Sequence, residues 1–265
     1  RLPAPVAARR AGLGDVERRR IVRGALGGAL DAFGPDLIVC DTFPSGPHGE
    51  LAGLGVRRAR RALVRRAVPA ARADEEATSA GMSDHDLAIV VDDPASHPVR
   101  LPIPVVRVPP ITIGEARDGA GREDARRALG LPLEGRAVLV AAGGGGDAAA
   151  VQRARELADA IARVDPDLFV VRARGPLEKA NAERAAPSSA RERAASTRVR
   201  EVSVTPMQPL LAAFDGAFAP AGYNTAHELA KARVPAALFA QPRPFDDQAG
   251  RAARFADRGF ACVLE

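Results

Sequence analysis

Short, uninterrupted runs of apolar residues recur along the chain, and amphipathic stretches separate most of the later ones. The first run, 37–40, is bounded by Asp36 and Asp41, a pattern typical of a strand buried on both faces of a parallel sheet. Further runs of the same kind lie at 87–91, 105–108, 137–142, 168–171, 199–204, 216–219, 236–239 and 261–264. We predict a strand at each of them.

Apolar residues at intervals of three and four predict helices. In the first helix, 15–33, the period ends at Gly34 and Pro35, which commonly terminate helices. Later helices are predicted at 122–129, 148–164, 207–214, 225–232 and 246–257. Strands that alternate with helices indicate an α/β fold with parallel sheets, in which ligands bind at the carboxyl ends of the strands.

A change in composition near residues 109–121 predicts a domain boundary. Prolines at 102, 104, 109 and 110 restrict the backbone, and glycines at 114, 119 and 121 then loosen it. We predict a first domain over 1–114, a linker over 115–121 and a second domain over 122–265. The first domain has few strands for its length and no glycine-rich turn at its start. We therefore expect the sequence to be part of a longer chain.

The basic charge of the chain suggests a nucleic-acid partner, but its distribution argues against one. The formal net charge is +5 and the pI about 10.1. Arginine clusters at 18–20, 57–61 and 65–66 lack interleaved aromatic residues, since the chain has nine Phe, one Tyr and no Trp. We predict a solvated basic face and no nucleic-acid binding. Peripheral membrane contact through 57–66 stays open, although that segment lacks a bulky apolar face.

Cysteine usage and motif content favour a cytoplasmic protein without a metal site. Cys40 and Cys262 have no CxxC partner, so they form neither a metal site nor a disulfide framework. The sequence has no DxD motif in a suitable place, and no cofactor is predicted.

The first candidate ligand-binding turn is rich in glycine. The run 139–147, Leu-Val-Ala-Ala-Gly-Gly-Gly-Gly-Asp, reads as strand, loop and helix. Gly143, Gly144 and Gly145 would let backbone amides approach a phosphate or sugar at a helix N-terminus. A tight turn without a ligand would use glycine as well.

A second strand-to-helix turn follows the run 216–219. Gly222, Tyr223, Asn224 and Thr225 form it, and we expect Asn224 or Thr225 to cap the helix. A diphosphate would accept hydrogen bonds from its amides. Glu228 lies one helical turn further and would accept hydrogen bonds from the ribose hydroxyls. The alternative is that its negative charge only complements the helix dipole.

The third candidate is the loop 240–248, in which a buried strand runs into a proline-constrained polar segment. Asp247 and Gln248 stand at the start of the following helix and would present carboxylate and amide groups to sugar hydroxyls. The alternative is that Asp246 and Asp247 only stabilise the helix N-terminus.

These three turns, in this order, resemble the second domain of GT-B glycosyltransferases of the MurG-like branch. The resemblance extends over 122–265 and is most specific in 222–228 and 246–252. It implies two Rossmann-like parallel-sheet domains that face a cleft, the first incomplete in this sequence. It also implies an enzyme that moves a sugar from a nucleotide-diphosphate donor, a UDP-sugar, to an acceptor hydroxyl.

The resemblance implies roles for single residues of the donor site. Gly222, Asn224 and Thr225 would hold the donor diphosphate, Glu228 the ribose hydroxyls and Gln248 the donor sugar. Met207 and Gln208 would lie against the base. Arg251 departs from MurG, which carries Asn at this position.

The first domain matches the same family through the segment 35–46, which looks like a strand and loop of its acceptor domain. The family's N-terminal glycine-rich turn, whose His is assigned near the catalytic base, is missing. The candidates for the general base in this sequence are Asp41, His48 and Glu50. We expect His85 and His97 to be surface or loop residues.

Two other functions remain open at this stage. A nucleotide-sugar hydrolase or epimerase would keep the donor site and replace the acceptor by water or by the sugar itself. A non-catalytic nucleotide-binding chain would keep the donor site alone.

Overall fold

A computed structural model describes residues 12–46, 49–54, 59–70, 79–93, 100–112, 121–144, 146–178, 199–243 and 246–264. The chain divides into two compact units, Arg1–Pro110 and Ile111–Glu265. Most of the predicted linker, 115–121, lies outside the described residues. None of the helices in the described ranges is long and apolar enough to cross a membrane.

The first unit contains a four-stranded parallel sheet in the order β1-β2-β3-β4. Its elements are α1 (Asp15–Phe33), β1 (Leu37–Asp41), β2 (Arg60–Arg65), α2 (Ala80–Ser83), β3 (Leu87–Val91) and β4 (Val105–Val108). Helix α1 ends at Gly34, whose φ of 59° places it in the left-handed conformation. Cys40, Leu63 and Met82 form the buried core of this unit.

Strand β2 corrects the expectation of a solvated basic face at Arg65, whereas the side chain of Arg60, at the start of the strand, is 80% exposed. Leu63 pairs with Cys40 of β1, and Val64 pairs with Ile89 of β3, so β2 is an inner strand. Arg65 is only 3% exposed. The apolar run in β2 is three residues long and flanked by arginine, too short to be recognised as a buried strand from sequence.

His85, expected to be a surface or loop residue, lies in the loop between α2 and β3 but is buried. Its side chain is 4% exposed, and Nδ1 lies 2.9 Å from the carbonyl oxygen of Gly81. A carbonyl only accepts, so this contact requires a proton on Nδ1. His97 lies outside the described residues.

The second unit contains a six-stranded parallel sheet in the order β10-β9-β8-β5-β6-β7. Its strands are β5 (Arg136–Ala141), β6 (Leu168–Ala173), β7 (Val199–Val202), β8 (Gly216–Pro220), β9 (Ala236–Phe239) and β10 (Ala261–Val263). Its helices are α3 (Arg122–Leu129), α4 (Ala148–Val164), a 3₁₀ helix (Gln208–Ala213), α5 (Tyr223–Lys231) and α6 (Gln248–Asp257).

Both faces of this sheet are buried. Successive residues of β5 enter different core clusters: Leu139 packs in one, and Val138 and Val140 pack in the other. This is why the strands read as continuous apolar runs. The predicted α/β fold with parallel sheets is confirmed.

The strand order decides which loops meet. Strands β9, β8 and β5 are neighbours, with Phe218 paired to both Val140 and Ala237. Because the strands are parallel, the turns that follow them lie at one edge of the sheet. These are the three turns predicted to bind a ligand.

At the opposite edge, a buried arginine joins α3 to the sheet. Arg126 is 0% exposed and donates to four backbone carbonyls, those of Pro132, Leu133, Ala213 and Gly135. It also contacts Asp215 at 3.2 Å. Burial opposes ionisation of Asp215, but hydrogen bonds from the amide of Ala137 and from Arg122 outweigh it, so the pKa of Asp215 is lowered.

We predict that Asp215→Asn lowers the free energy of unfolding at pH 7 by about 1–3 kcal/mol, because it leaves the buried guanidinium of Arg126 undercompensated. A lowered pKa stabilises the folded state above the unfolded-state pKa and is lost as the pH falls toward the folded value. The difference from the original chain should therefore shrink below about pH 4. Urea denaturation across this range measures it.

The matched control is Glu123→Gln, which removes the exposed ion pair of Glu123 with Arg127 and should cost less than about 1 kcal/mol. Equal losses for the two variants would contradict the prediction.

Candidate functional site

Three loops at the carboxyl edge of the second sheet are joined by hydrogen bonds. We call them the three-loop edge: residues 142–144 after β5, 221–222 after β8, and 240–243 with 246–248 after β9. Gln241 donates from Nε2 to the carbonyl oxygen of Ala142 at 3.2 Å, and its backbone amide donates to Oε1 of Gln248 at 3.0 Å. Arg251 donates to the carbonyl oxygen of Ala221 at 2.8 Å.

Asp246 connects these hydrogen bonds to one another. Its Oδ1 accepts from Arg251 at 2.7 Å, and its Oδ2 accepts from Nε2 of Gln248 at 3.2 Å. Arg251 is 0% exposed, and its guanidinium carbon lies 5.9 Å from the centroid of the Tyr223 ring. The carboxylate of Asp246 thus neutralises a fully buried guanidinium, which holds the start of α6 against the start of α5.

The glycine-rich turn after β5 contains one glycine that the backbone requires. Gly143 has a φ of 78°, and a Cβ there would lie 3.6 Å from Cγ of Pro220. A Cβ on Gly144 would meet no atom within 4 Å. Gly145 lies outside the described residues.

Helix α4, which follows this turn, is capped by the side chain of its N-cap residue, Asp147. Asp147 accepts from the amides of Ala149 at 3.0 Å and Ala150 at 3.2 Å. The expectation that this helix start offers unpaired amides to an anion is therefore wrong for these two groups.

Helix α5 begins differently. Its N-cap is Gly222, and no side chain in the described part of the chain caps it. Asn224 and Thr225 lie inside the first helical turn, so the expectation that either caps the helix is wrong. Helix α6 is capped by Asp247, whose carboxylate accepts from the amide of Gly250 at 2.9 Å. Of the three helices that begin at the three-loop edge, α5 is the one without a side-chain cap among the described residues.

Gly222 has an ordinary backbone conformation. Its φ is −63° and its ψ 150°, and a Cβ there would lie 3.8 Å from Nε2 of Gln248, an ordinary contact. Neither the backbone nor the neighbouring side chains require glycine at this position. Glycine is a favoured residue at an N-cap, and it also leaves room for a ligand to approach the backbone closely.

Two residues further along α5 have contrasting environments. Glu228 is half-buried, one turn beyond Thr225. His227 is buried, with its ring centroid 4.7 Å from that of Tyr223 and 5.2 Å from that of Phe255. These ring contacts give His227 a packing role.

The remaining predicted donor residues are held by the protein itself. Gln248 is 6% exposed, and both ends of its amide are hydrogen-bonded within the three-loop edge. Asp247 serves as a helix cap. Met207 is half-buried against the core, and Gln208 is buried at the start of the 3₁₀ helix. Ligand contact by these four residues stays a prediction.

In the first unit, Asp41 ends β1 with its side chain 69% exposed. It accepts from Oγ1 of Thr42 at 2.9 Å and lies 3.4 Å from Arg66. Arg66 also donates to Oγ1 of Thr42 at 2.9 Å. Thr42 has a φ of 67°, a left-handed conformation that is strained for a β-branched residue and is found disproportionately at functional sites.

The other two base candidates are placed differently. Glu50 is 8% exposed, and a Cβ on Gly46 would lie 2.7 Å from its Cδ, so this carboxylate is covered by the loop. His48 lies outside the described residues. Asp41 is the described candidate that reaches solvent.

Sequence reasoning missed Gln241 and Arg243, which lie inside a loop that it had selected. Arg243 donates from NH2 to Oε1 of Gln241 at 2.9 Å. The signal was the pattern Gln-Pro-Arg-Pro at 241–244, in which prolines restrict the backbone around one cation. Within the described residues, no three His, Cys, Asp or Glu side chains come together as a metal site would require.

No protein-family model matches the sequence, and no curated protein matches it. Solved structures do match the fold. The glycotransferase of kitacinnamycin aligns over 100% of this chain and 71% of its own, with a TM-score of 0.60 and 13% identity. Spinosyn rhamnosyltransferase SpnG, complexed with thymidine diphosphate, aligns over 94% of this chain and 65% of its own, with a TM-score of 0.57 and 15% identity.

MurG from Acinetobacter baumannii aligns over 95% of this chain and 66% of its own, with a TM-score of 0.51 and 16% identity. The chain has the GT-B fold. The resemblance in fold predicted from the motifs is confirmed, and the two parallel sheets are those of GT-B proteins. The chain spans about two thirds of the length of the solved structures SpnG and MurG.

Proposed function

We propose that the chain is a glycosyltransferase that moves a sugar from a nucleotide-diphosphate donor, a UDP-sugar, to an acceptor hydroxyl. The observation that carries this proposal is the start of α5 at Gly222, which has no side-chain cap and lies between the other two loops of the three-loop edge. Departure of a nucleoside diphosphate needs stabilisation of negative charge. Amides at a helix N-terminus supply it.

In this proposal, residues 122–265 form the donor domain and residues 1–114 belong to the acceptor domain. Gly222, Asn224 and Thr225 bind the diphosphate, and Glu228 accepts the ribose hydroxyls. The match to SpnG, whose structure holds thymidine diphosphate, supports a nucleoside diphosphate as the ligand.

Asp41 is the general base of the proposed reaction. A general base must reach the acceptor hydroxyl from solvent, and the carboxylate of Asp41 is exposed whereas that of Glu50 is covered. Hydrogen bonds from Thr42 and Arg66 orient it. A chain that releases UDP from a UDP-sugar only when an acceptor extract is present is a transferase. Release at the same rate without acceptor would indicate a hydrolase instead.

We predict that Gly222→Ala weakens binding of UDP by about tenfold or more, since a Cβ would occupy the space of the phosphate oxygens. The melting temperature should fall only as far as Ala at an N-cap lowers it, because the backbone and the neighbouring side chains accept a Cβ here. Calorimetry with UDP and thermal denaturation without ligand measure the two effects.

The matched control is Gly121→Ala. Gly121 is the N-cap residue of α3 and, like Gly222, makes no side-chain capping hydrogen bond. Its φ is −58°, and no atom lies within 4 Å of its Cβ position. It therefore reports the cost of Ala at an N-cap away from the three-loop edge. Equal UDP affinity in the two variants would refute a phosphate at Gly222.

We also predict that Glu228→Ala weakens UDP binding by about 1–3 kcal/mol, the range for hydrogen bonds to a charged group. The loss should be smaller for 2′-deoxy-UDP, which lacks one of the two hydroxyls that the carboxylate accepts. The preference for UDP over 2′-deoxy-UDP should therefore fall in the variant. Calorimetry with both nucleotides measures it.

Glu134→Ala is the control for Glu228, because Glu134 is an exposed carboxylate in the loop before β5, at the opposite edge. If Glu228→Ala weakened both nucleotides by the same factor, the carboxylate would act on the fold or on overall charge rather than on the ribose.

A further inference from the structure

Arg243 is an exposed cation held at a defined place in the three-loop edge. Its guanidinium donates to Oε1 of Gln241 at 2.9 Å. Gln241 is itself 4% exposed and is bonded through Nε2 to the carbonyl oxygen of Ala142. The guanidinium is therefore tethered to the loop after β5 through a buried amide, although it belongs to the loop after β9.

The oxygen atom to which the guanidinium is tethered lies beside the Cβ position that Gly143 leaves empty. Oε1 of Gln241 lies 4.0 Å from the position that a Cβ of Gly143 would take, and Cγ of Pro220 lies 3.6 Å from the same position. Pro220 is followed by Ala221 and the uncapped Gly222. Oε1 of Gln241, which anchors Arg243, therefore lies close to the segment that leads into the helix start at which the proposed function puts the diphosphate.

The charge of Arg243 has no counter-ion among the described residues. Its hydrogen bond is to a neutral amide oxygen, and no described carboxylate lies within ion-pair distance. Arg251, by contrast, is buried against Asp246, and Arg174 lies 3.9 Å from Glu178. The positive potential of Arg243 adds to that of the α5 N-terminus, which favours a ligand with more than one negative charge.

Arg243 is placed to make the contact with the donor that the resemblance implied for Gln248. The family resemblance implied that Gln248 binds the donor sugar, but both ends of its amide hold the loop. Arg243 is the polar side chain of this loop that projects into solvent from a fixed anchor. A guanidinium binds phosphate and carboxylate oxygens through paired N–H groups.

We propose that Arg243 is a specificity-determining residue of the donor site, an inference that rests on the proposed function. Its guanidinium binds anionic oxygens of the donor beyond the first phosphate. These oxygens belong either to the second phosphate or to a carboxylate on the sugar.

The test is calorimetry on the 265-residue chain with UMP, UDP, UDP-glucose and UDP-glucuronate as probes. Arg243→Gln removes the charge and leaves a shorter, neutral side chain that still donates hydrogen bonds. Arg258→Gln is the control, because Arg258 is exposed at the C-terminal end of α6, away from the three-loop edge, and the variant loses the same charge.

If the second phosphate is bound, Arg243→Gln weakens UDP by about tenfold or more and changes UMP affinity by less than about twofold. If a sugar carboxylate is bound, UDP and UDP-glucose keep their affinities and UDP-glucuronate loses about tenfold. Arg243→Lys should restore only part of either loss, since it keeps the charge without the paired N–H groups.

Failure of the inference is distinguishable from failure of the proposed function. If the original chain binds UDP and Arg243→Gln matches Arg258→Gln for every probe, the inference alone is overturned. A loss of equal factor for UMP and UDP, with a lower melting temperature, would show a merely structural arginine and overturn it too. If the original chain binds no nucleoside diphosphate, the proposed function fails and the inference fails with it.

Discussion

The ion pair between Arg251 and Asp246 is the interaction on which the rest of the candidate site depends. Burying a guanidinium costs free energy unless its positive charge is paired and its N–H donors are hydrogen-bonded. Here one nitrogen contacts both the backbone of the loop after β8 and the carboxylate of the loop after β9. Asp246 accepts a hydrogen bond from the side chain of Gln248, which in turn accepts one from the amide of Gln241. The side chain of Gln241 donates to the loop after β5. Three segments far apart in sequence are thereby held in one arrangement.

The helix starts at this edge of the sheet are not equivalent. Asp147 and Asp247 each satisfy amides of their own helix, so their helix starts carry a built-in negative charge. Gly222 brings none. A negatively charged ligand would be repelled at the first two helices and attracted at the third, which is the position that the proposed function gives to the diphosphate.

The sequence was most informative where burial was complete. Both faces of the second sheet are covered, so β5 and its neighbours read as unbroken apolar runs, and the loops that follow them could be placed at one edge. Strand β2 was not predicted, because its apolar run is only three residues long and Arg65 is buried within the strand. Sequence reasoning also failed at helix caps and at Gln241, because partners of polar side chains depend on contacts that hydrophobic periodicity does not encode.

The two glycines at the three-loop edge differ in what keeps them in the sequence. Gly143 is required by a positive φ, so any descendant that keeps this fold must keep it or rebuild the turn. Gly222 has a conformation open to every L-residue and room for a methyl group. If the diphosphate binds as proposed, a lineage that no longer used it would lose that constraint at Gly222 while Gly143 persisted, so the residue found at 222 in related chains would show whether binding is still under selection.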